Sequence, residues 1–387
     1  MPPKVLYAKK KENILCGKNT LDKKCQKNIL SHHIKIYIGV NMYSEKIRML
    51  IEQYNTTEDI KKKASTGVLL NNEFLFICQY DEALKYGFEA WKIAEEIGYN
   101  ALFYDCLASI GLTYFNQCKY AKALEYFEKC LENHFKNPQK SYLAQIYINM
   151  GACYHNMDNY YKAVEYYLKG NDALKGKNDD NAFEGLCFNL GEIYTETGDY
   201  DKADEWLTKA TKVENSQLGY MAYYFLGNLH KKKKNHLLSI RYFKKSLELL
   251  KDKDYFDYLF GCCNYLALLY IEIGKTNEAI EFGNRSVEYA EKSTVVLNIL
   301  EADLAMATVY MNIKDTRKAK EYFKKCLALE KEETNEQFSL RLYETYSAFC
   351  FETKNVKEGH EYRKKALCLK AKIEKAEREK KIEFLSK

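Results

Sequence analysis

Apolar side chains recur three and four residues apart in successive stretches of the chain, each closed by a short polar turn, and the stretches come in pairs. That spacing keeps one face of an α-helix apolar, so the pattern predicts amphipathic helices joined as hairpins. The stretch FEGLCFNLGEIYTETGDYDKADEWLTKA, from Phe183 to Ala210, shows the unit. Gly191 and Tyr194 fall on its first helix and Gly198 and Asp199 form the turn. Tyr200, Ala203, Leu207 and Ala210 mark the inner face of its second helix.

The unit repeats. Its small second-helix residue has counterparts at Ala83, Ala123, Ala163, Ala203, Ser239, Ala279, Ala319 and Gly359, at steps of 40 residues with one step of 36 before Ser239. If Ala, Gly and Ser fill roughly a fifth of ordinary sequence, such a run arises by chance about once in four hundred thousand trials, so the period is real. The first helices repeat in parallel, with Gly111, Gly151, Gly191 and Gly227, then Ala267, Ala307 and Ser347. Glycine inside a helix costs about 1 kcal/mol against alanine, so glycines in register predict a partner helix close enough to fill the gap. Phe127, Tyr167, Leu207, Phe243 and Phe323 recur on the second helices, each worth about 1.5 to 3 kcal/mol if fully buried. Three residues after the small first-helix position stands Tyr114, Tyr154, Tyr194, Tyr270 or Tyr310, with His230 and Cys350 as exceptions. Gly198 and Gly274 suit the left-handed residue that ends a first helix, and Asp199 and Thr276 are placed to cap the second. The fifth unit departs from the pattern: it follows the short step, carries His230 and Ser239, and turns through Lys231 to Lys234. That turn is expected to be a solvated basic loop, the alternative being an irregular joint.

Composition supports a long helical body. Hydrophobic residues make up 47% and aromatics 14%, enough for a continuous core, and the only prolines are Pro2, Pro3 and Pro138. The 60 basic and 54 acidic residues are interspersed, so the net charge of +6 does not argue for a nucleic-acid partner. Thirteen cysteines form no C-x-x-C pair, which predicts free thiols in a reducing cytoplasm rather than disulfides or zinc. No apolar run approaches the roughly 18 residues of a membrane span. Phosphate loops, H-E-x-x-H and G-x-S-x-G are absent from the sequence, so neither catalysis nor a cofactor or metal is expected.

The ends differ from the middle. Residues 1–41, rich in Lys and Asn and containing Cys16, Cys25, His32 and His33, read as a poorly ordered extension, and translation from Met42 is a further expectation. Residues 42–63 read as an N-terminal capping helix and residues 369–387 as a charged C-terminal helix. Leu369, Ile373 and Ala376 form a short apolar seam on it. That helix is expected either to cap the last unit or to carry a signal onward, and it offers a route to a dimer.

The Gly191, Tyr194, Gly198, Tyr200 and Ala203 pattern resembles the tetratricopeptide repeat, and the resemblance covers the array at residues 64–368. The usual unit has roughly 34 residues; the longer ones here are similar to those of bacterial sensor and peptide-receptor proteins and of the kinesin light chain. The resemblance implies an all-α, right-handed α-solenoid of about eight helix-turn-helix units whose first helices line a concave groove. In this register the groove positions are Phe115, Asn116, Asn149, His155, Asn156, Phe188, Asn189, Glu192, Tyr224, Asn228, Asn264, Tyr265, Leu304 and Asn312. Asparagine amides both donate and accept, so a ladder of them can hold an extended peptide backbone, with Phe188 and Tyr224 supplying pockets. The expected function is a non-catalytic cytoplasmic scaffold or signalling sensor that binds a protein or peptide segment, without nucleic acid or membrane. The alternative is a truncated sensory region of a bacterial signalling enzyme, a diguanylate cyclase or histidine kinase, that has lost its output domain.

Overall fold

A computed structural model describes residues 45–136, 142–176, 179–213, 216–293, 295–333 and 335–385. The expectations for residues 1–41 lie outside the described residues. Helix α1 covers residues 45–56. Four hairpins follow it: α2 (Ile60–Phe76) with α3 (Tyr80–Glu96), α4 (Asn100–Asn116) with α5 (Tyr120–Lys136), α6 (Leu143–Asn156) with α7 (Tyr160–Leu174), and α8 (Asp180–Thr197) with α9 (Tyr200–Ala210). Four more complete the chain: α10 (Gly219–Lys232) with α11 (His236–Leu249), α12 (Phe256–Glu272) with α13 (Thr276–Ser293), α14 (Val296–Asn312) with α15 (Thr316–Glu333), and α16 (Glu336–Glu352) with α17 (Val356–Leu385). The described residues contain no strand.

Two compact units divide the chain, Met1–Leu218 and Gly219–Lys387. Helix α9 has only 11 residues, and the division falls in the connection after it, where the sequence step shortens. Within each unit the first helices pack on one another: α2 on α4, α4 on α6 and α6 on α8 in unit 1, α12 on α14 and α14 on α16 in unit 2. They form one layer of each unit, called the inner layer below, and the second helices form the other.

Close approach inside each hairpin is what the glycines permit. A Cβ added to Gly111 meets Phe127 at 2.7 Å, one on Gly151 meets Tyr167 at 2.6 Å, and one on Gly227 meets Phe243 at 2.8 Å. The facing small residues, from Ala83 to Ala319, are fully buried. Polar residues at these crossings bond to the facing helix. The Asn71 amide donates to the Ala83 carbonyl at 2.6 Å, Ser239 to Gly227 at 2.8 Å, and Ser347 to Gly359 at 2.9 Å. Each bond spans 12 residues and supplies the partner that a buried hydroxyl or amide requires.

A second register runs beside the first. In five hairpins an aromatic ring on the first helix stacks on one from the second: Phe74 on Tyr86, Tyr114 on Tyr126, Tyr154 on Tyr166, Tyr270 on Phe282 and Tyr310 on Tyr322, with centroids 5.3 to 5.7 Å apart. His230, the exception in sequence, keeps the pattern by stacking on Tyr242 at 5.3 Å. Such pairs add about 0.5 to 1.5 kcal/mol beyond their buried area.

The turns are more uniform than the sequence implied. Gly198 and Gly274 are left-handed, as their position after a first helix required. Cys78, Cys118, Asp158, Lys234, Lys314 and Lys354 adopt the same conformation at the same step. Backbone bonds close these turns, such as Lys275 N to the Tyr270 carbonyl at 2.8 Å and Asn355 N to the Cys350 carbonyl at 2.8 Å. Asp199 accepts from the Lys202 amide and caps α9, whereas Thr276 lies inside the first turn of α13 rather than at its cap.

Candidate ligand-binding faces

The inner face of unit 1 is built by α4, α6 and α8. Phe115 is buried and packs edge-on against Tyr120 at 5.4 Å, and Phe188 has no exposed surface, so both serve the core. Asn116 and Asn156 are half-buried and donate to carbonyls four residues back, Leu112 at 2.7 Å and Ala152 at 2.8 Å. The Asn156 oxygen also accepts from Tyr120 at 3.4 Å. Asn149 and Asn189, one repeat apart, expose only 6% and 7% of their surface, and Asn149 accepts from Gln145 at 3.0 Å. His155 lies 3.5 Å from Glu196 and edge-on to Tyr160 at 5.8 Å. Glu192 is half-buried and Glu196 exposed. Glu196 was missed in sequence although it stands one step of 40 beyond Asn156.

The inner face of unit 2 is aromatic and charged. Tyr224 is half-buried among Tyr258, Phe243 and Tyr265, at 5.3, 5.8 and 6.2 Å. Gly261 makes room for it: a Cβ there meets the Tyr224 hydroxyl at 2.9 Å. Tyr265 stacks on Phe243 at 5.2 Å, and the Lys231 ammonium sits 4.3 Å above its ring. Lys231 is therefore not part of a solvated loop. Burial lowers its pKa, with the Glu272 and Glu301 carboxylates opposing that shift and Arg341 adding to it. Arg341 pairs with Glu301, and His236 lies 2.9 Å from Glu272. Leu304 is buried. Asn264 is buried and accepts from Ser286 at 3.3 Å. Asn228 is half-buried, while exposed Asn312 donates back to Thr308 at 2.9 Å. Sequence reasoning took the lysine turn as one feature; Lys231, still inside α10, differs because Tyr265 stands opposite it.

No group of three or more potential metal ligands occurs among the described residues. No described helix is long and apolar enough to cross a membrane. Paired helices stacked through two registers define a helical-repeat α-solenoid. One tetratricopeptide-repeat profile matches residues 103–175. A second profile of that repeat matches residues 185–217, 221–251 and 304–333. The chain thus contains tetratricopeptide repeats, in a long form whose unit is 40 residues.

No curated protein matches the chain in sequence. Solved structures share its fold. The apo form of the quorum sensor NprR from B. thuringiensis is 16% identical with a TM-score of 0.63, over 90% of this chain and 98% of that one. Aspartyl phosphate phosphatase F from Bacillus subtilis is 15% identical with a TM-score of 0.59, over 92% and 96%. A Rap protein complexed with competence and sporulation factor is 13% identical with a TM-score of 0.56, over 88% and 99%.

Proposed function

We propose that the protein is a non-catalytic scaffold or sensor whose inner helices bind a protein or peptide segment. One observation carries this reading. Inner-face positions that packing leaves uncovered hold groups suited to a peptide: the half-buried Asn116, Asn156 and Glu192 of unit 1, and the half-buried Tyr224, Asn228 and Tyr265 of unit 2. Amides satisfy main-chain donors and acceptors, and the tyrosine rings offer apolar contact with a polar tip. The likeness to a quorum sensor, and to a protein solved with a bound factor, supports a signalling role. Ten cysteines among the described residues are free and fit a cytoplasmic setting, whereas Cys118 is disulfide-bonded, contrary to the expectation of free thiols throughout.

The test is selection of binders from a displayed peptide library on the full chain, followed by calorimetry with the chosen peptide. Asn156→Ala with Glu192→Gln in unit 1, or Asn228→Ala with Tyr265→Phe in unit 2, weakens binding at least about tenfold while the thermal midpoint moves little. Unchanged affinity in both pairs removes the inner face as the site.

The 30-residue helix α17 supports a second reading, in which it joins two copies. Its last buried side chain among those described is Ala366, and Leu367 beside it is 61% exposed. Leu367→Glu with Ile373→Glu then converts a dimer to a monomer in light scattering; a monomeric parent chain ends that reading.

A further inference from the structure

Between the second helices of the fifth and sixth repeats, α11 and α13, lies a cleft of about 620 Å3 that also takes in residues 250–254 and the start of α12. Its floor is apolar, with Leu250, Leu259 and Phe282 all buried. Its rim carries Lys244, Lys251, Lys253 and Arg285 alongside Glu248, Asp252 and Asp254.

The charge pattern here differs from that of four other second helices. In the third, fourth, seventh and eighth repeats an acid pairs with the cation four residues on: Glu165 with Lys169 at 2.6 Å, Glu205 with Lys209 at 2.7 Å, Glu321 with Lys325 at 4.0 Å and Glu361 with Lys365 at 2.8 Å. In the fifth repeat Arg241 replaces that acid. In the sixth, Glu281 keeps the acid's place but forms no ion pair with Arg285, which is hydrogen-bonded to Tyr289 instead, and nearby Glu288 is held by Lys292 at 2.5 Å. Among the described residues, no carboxylate pairs with Lys244, Lys251, Lys253 or Arg285.

Two of these cations converge on one ring. Arg285 lies 5.1 Å and Lys244 6.0 Å from the centroid of Phe282, and Lys244 is also 5.5 Å from that of Tyr270. Their mutual repulsion falls when an anion lies between them. The apolar floor below, with the Phe256 and Tyr289 rings at its edge, accepts a flat apolar body. We propose that this cleft binds a small organic anion, its charge on Lys244 and Arg285 and its aromatic or aliphatic body over Leu250 and Leu259. The volume lies within the roughly 300 to 1,000 Å3 of small-ligand sites. The proposal is independent of the inner-face reading, since none of these residues belongs to that face.

The probe is 8-anilinonaphthalene-1-sulfonate, an aromatic sulfonate whose fluorescence rises on transfer to an apolar site, titrated into the full chain. Binding is expected to saturate at one site per chain and to weaken as salt is raised. Lys244→Glu with Arg285→Glu weakens it at least about tenfold, and the neutral pair Lys244→Gln with Arg285→Gln at least about threefold. Arg285→Lys keeps most of the affinity. Lys169→Glu with Lys209→Glu, which reverses paired cations of unit 1, leaves it unchanged. Far-ultraviolet circular dichroism checks each fold, and if the reversed pair unfolds, the neutral pair decides. Equal affinity in the parent chain and the neutral pair overturns the proposal, as does an equal loss in the unit 1 control.

Discussion

The inner faces of the two units share a backbone register and differ in chemistry. Following one position through the repeats gives Asn149 and Asn189 in unit 1, then Phe225, Tyr265 and Ala305 in unit 2. Another gives Asn116, Asn156 and Glu196, then Lys232, Glu272 and Asn312. The packing positions do not diverge in this way: Gly151 and Gly227 each face a large ring, and Ala163 and Ala279 are equally buried. Packing therefore fixes the small and aromatic residues in both units, and the columns that it does not need are free to become amide-rich in one unit and aromatic and charged in the other.

The largest effect tests the shared part of this comparison. Gly151→Val in unit 1 and Gly227→Val in unit 2 push a branched side chain into Tyr167 and Phe243, whose rings already lie 2.6 and 2.8 Å from where a Cβ would sit. Two second-helix rings cannot withdraw without opening the hairpin, so each variant loses about 3 kcal/mol. Urea denaturation measures the loss. Tolerance at one site and not the other breaks the claim that both units rest on one packing rule.

The packing rule was legible in the sequence because it is periodic. Tracing Ala203 by steps of 40 located the hairpins, and the glycines at 111, 151, 191 and 227 named the helix faces that meet. The inner faces were legible only as a set of positions. Phe188 and Phe115 stood at groove positions in the register, but aromatic rings beside a crossing turn inward to be buried. The asparagines at 116 and 156 repeat, yet each closes a bond to its own helix, a local satisfaction that no spacing reveals. Lys231 was hidden for the opposite reason. Its role depends on Tyr265, 34 residues away, and on acids from α12 and α14.

An intermediate effect separates the units by pH. Burial raises Asp105 in unit 1 and Asp303 in unit 2 to about 6, with a Tyr142 hydrogen bond opposing the shift at the first and Lys325 opposing it at the second. Above pH 6 the folded chain holds Asp303 ionised, with 4% of its surface exposed, at a cost absent from the unfolded chain. As pH falls from about 6 towards 3.8 the folded state takes up a proton that the unfolded state does not, so this group's contribution becomes less unfavourable. Asp303→Asn is thus expected to be more stable than the parent chain by about 2 kcal/mol at pH 7.5, a difference that shrinks towards pH 4. Denaturation midpoints across that range measure it. At Asp105, Tyr142→Phe sharpens the contrast: loss of the hydrogen bond destabilises the protein most at high pH, where the carboxylate is charged. A pH-independent loss shows that the tyrosine acts there only by packing.

The smallest effect lies in the turns. Unit 2 places lysine in the left-handed position at Lys234, Lys314 and Lys354, where unit 1 has Cys78, Cys118, Asp158 and Gly198. A lysine there meets the Cβ clash that glycine avoids, about 1 to 2 kcal/mol, and glycine returns part of that gain through the greater freedom of its unfolded chain. Lys354→Gly is therefore expected to stabilise unit 2 by about 0.5 kcal/mol, and the three lysines changed together by about 1.5 kcal/mol. Asp158→Gly gains less, because aspartate tolerates this conformation and the Asp158 carboxylate accepts from the Tyr160 hydroxyl at 3.3 Å. Thermal midpoints rank the series. An equal gain at Asp158 and Lys354 means that the turns, like the glycine crossings, obey one rule in both units, and confines their divergence to the inner faces.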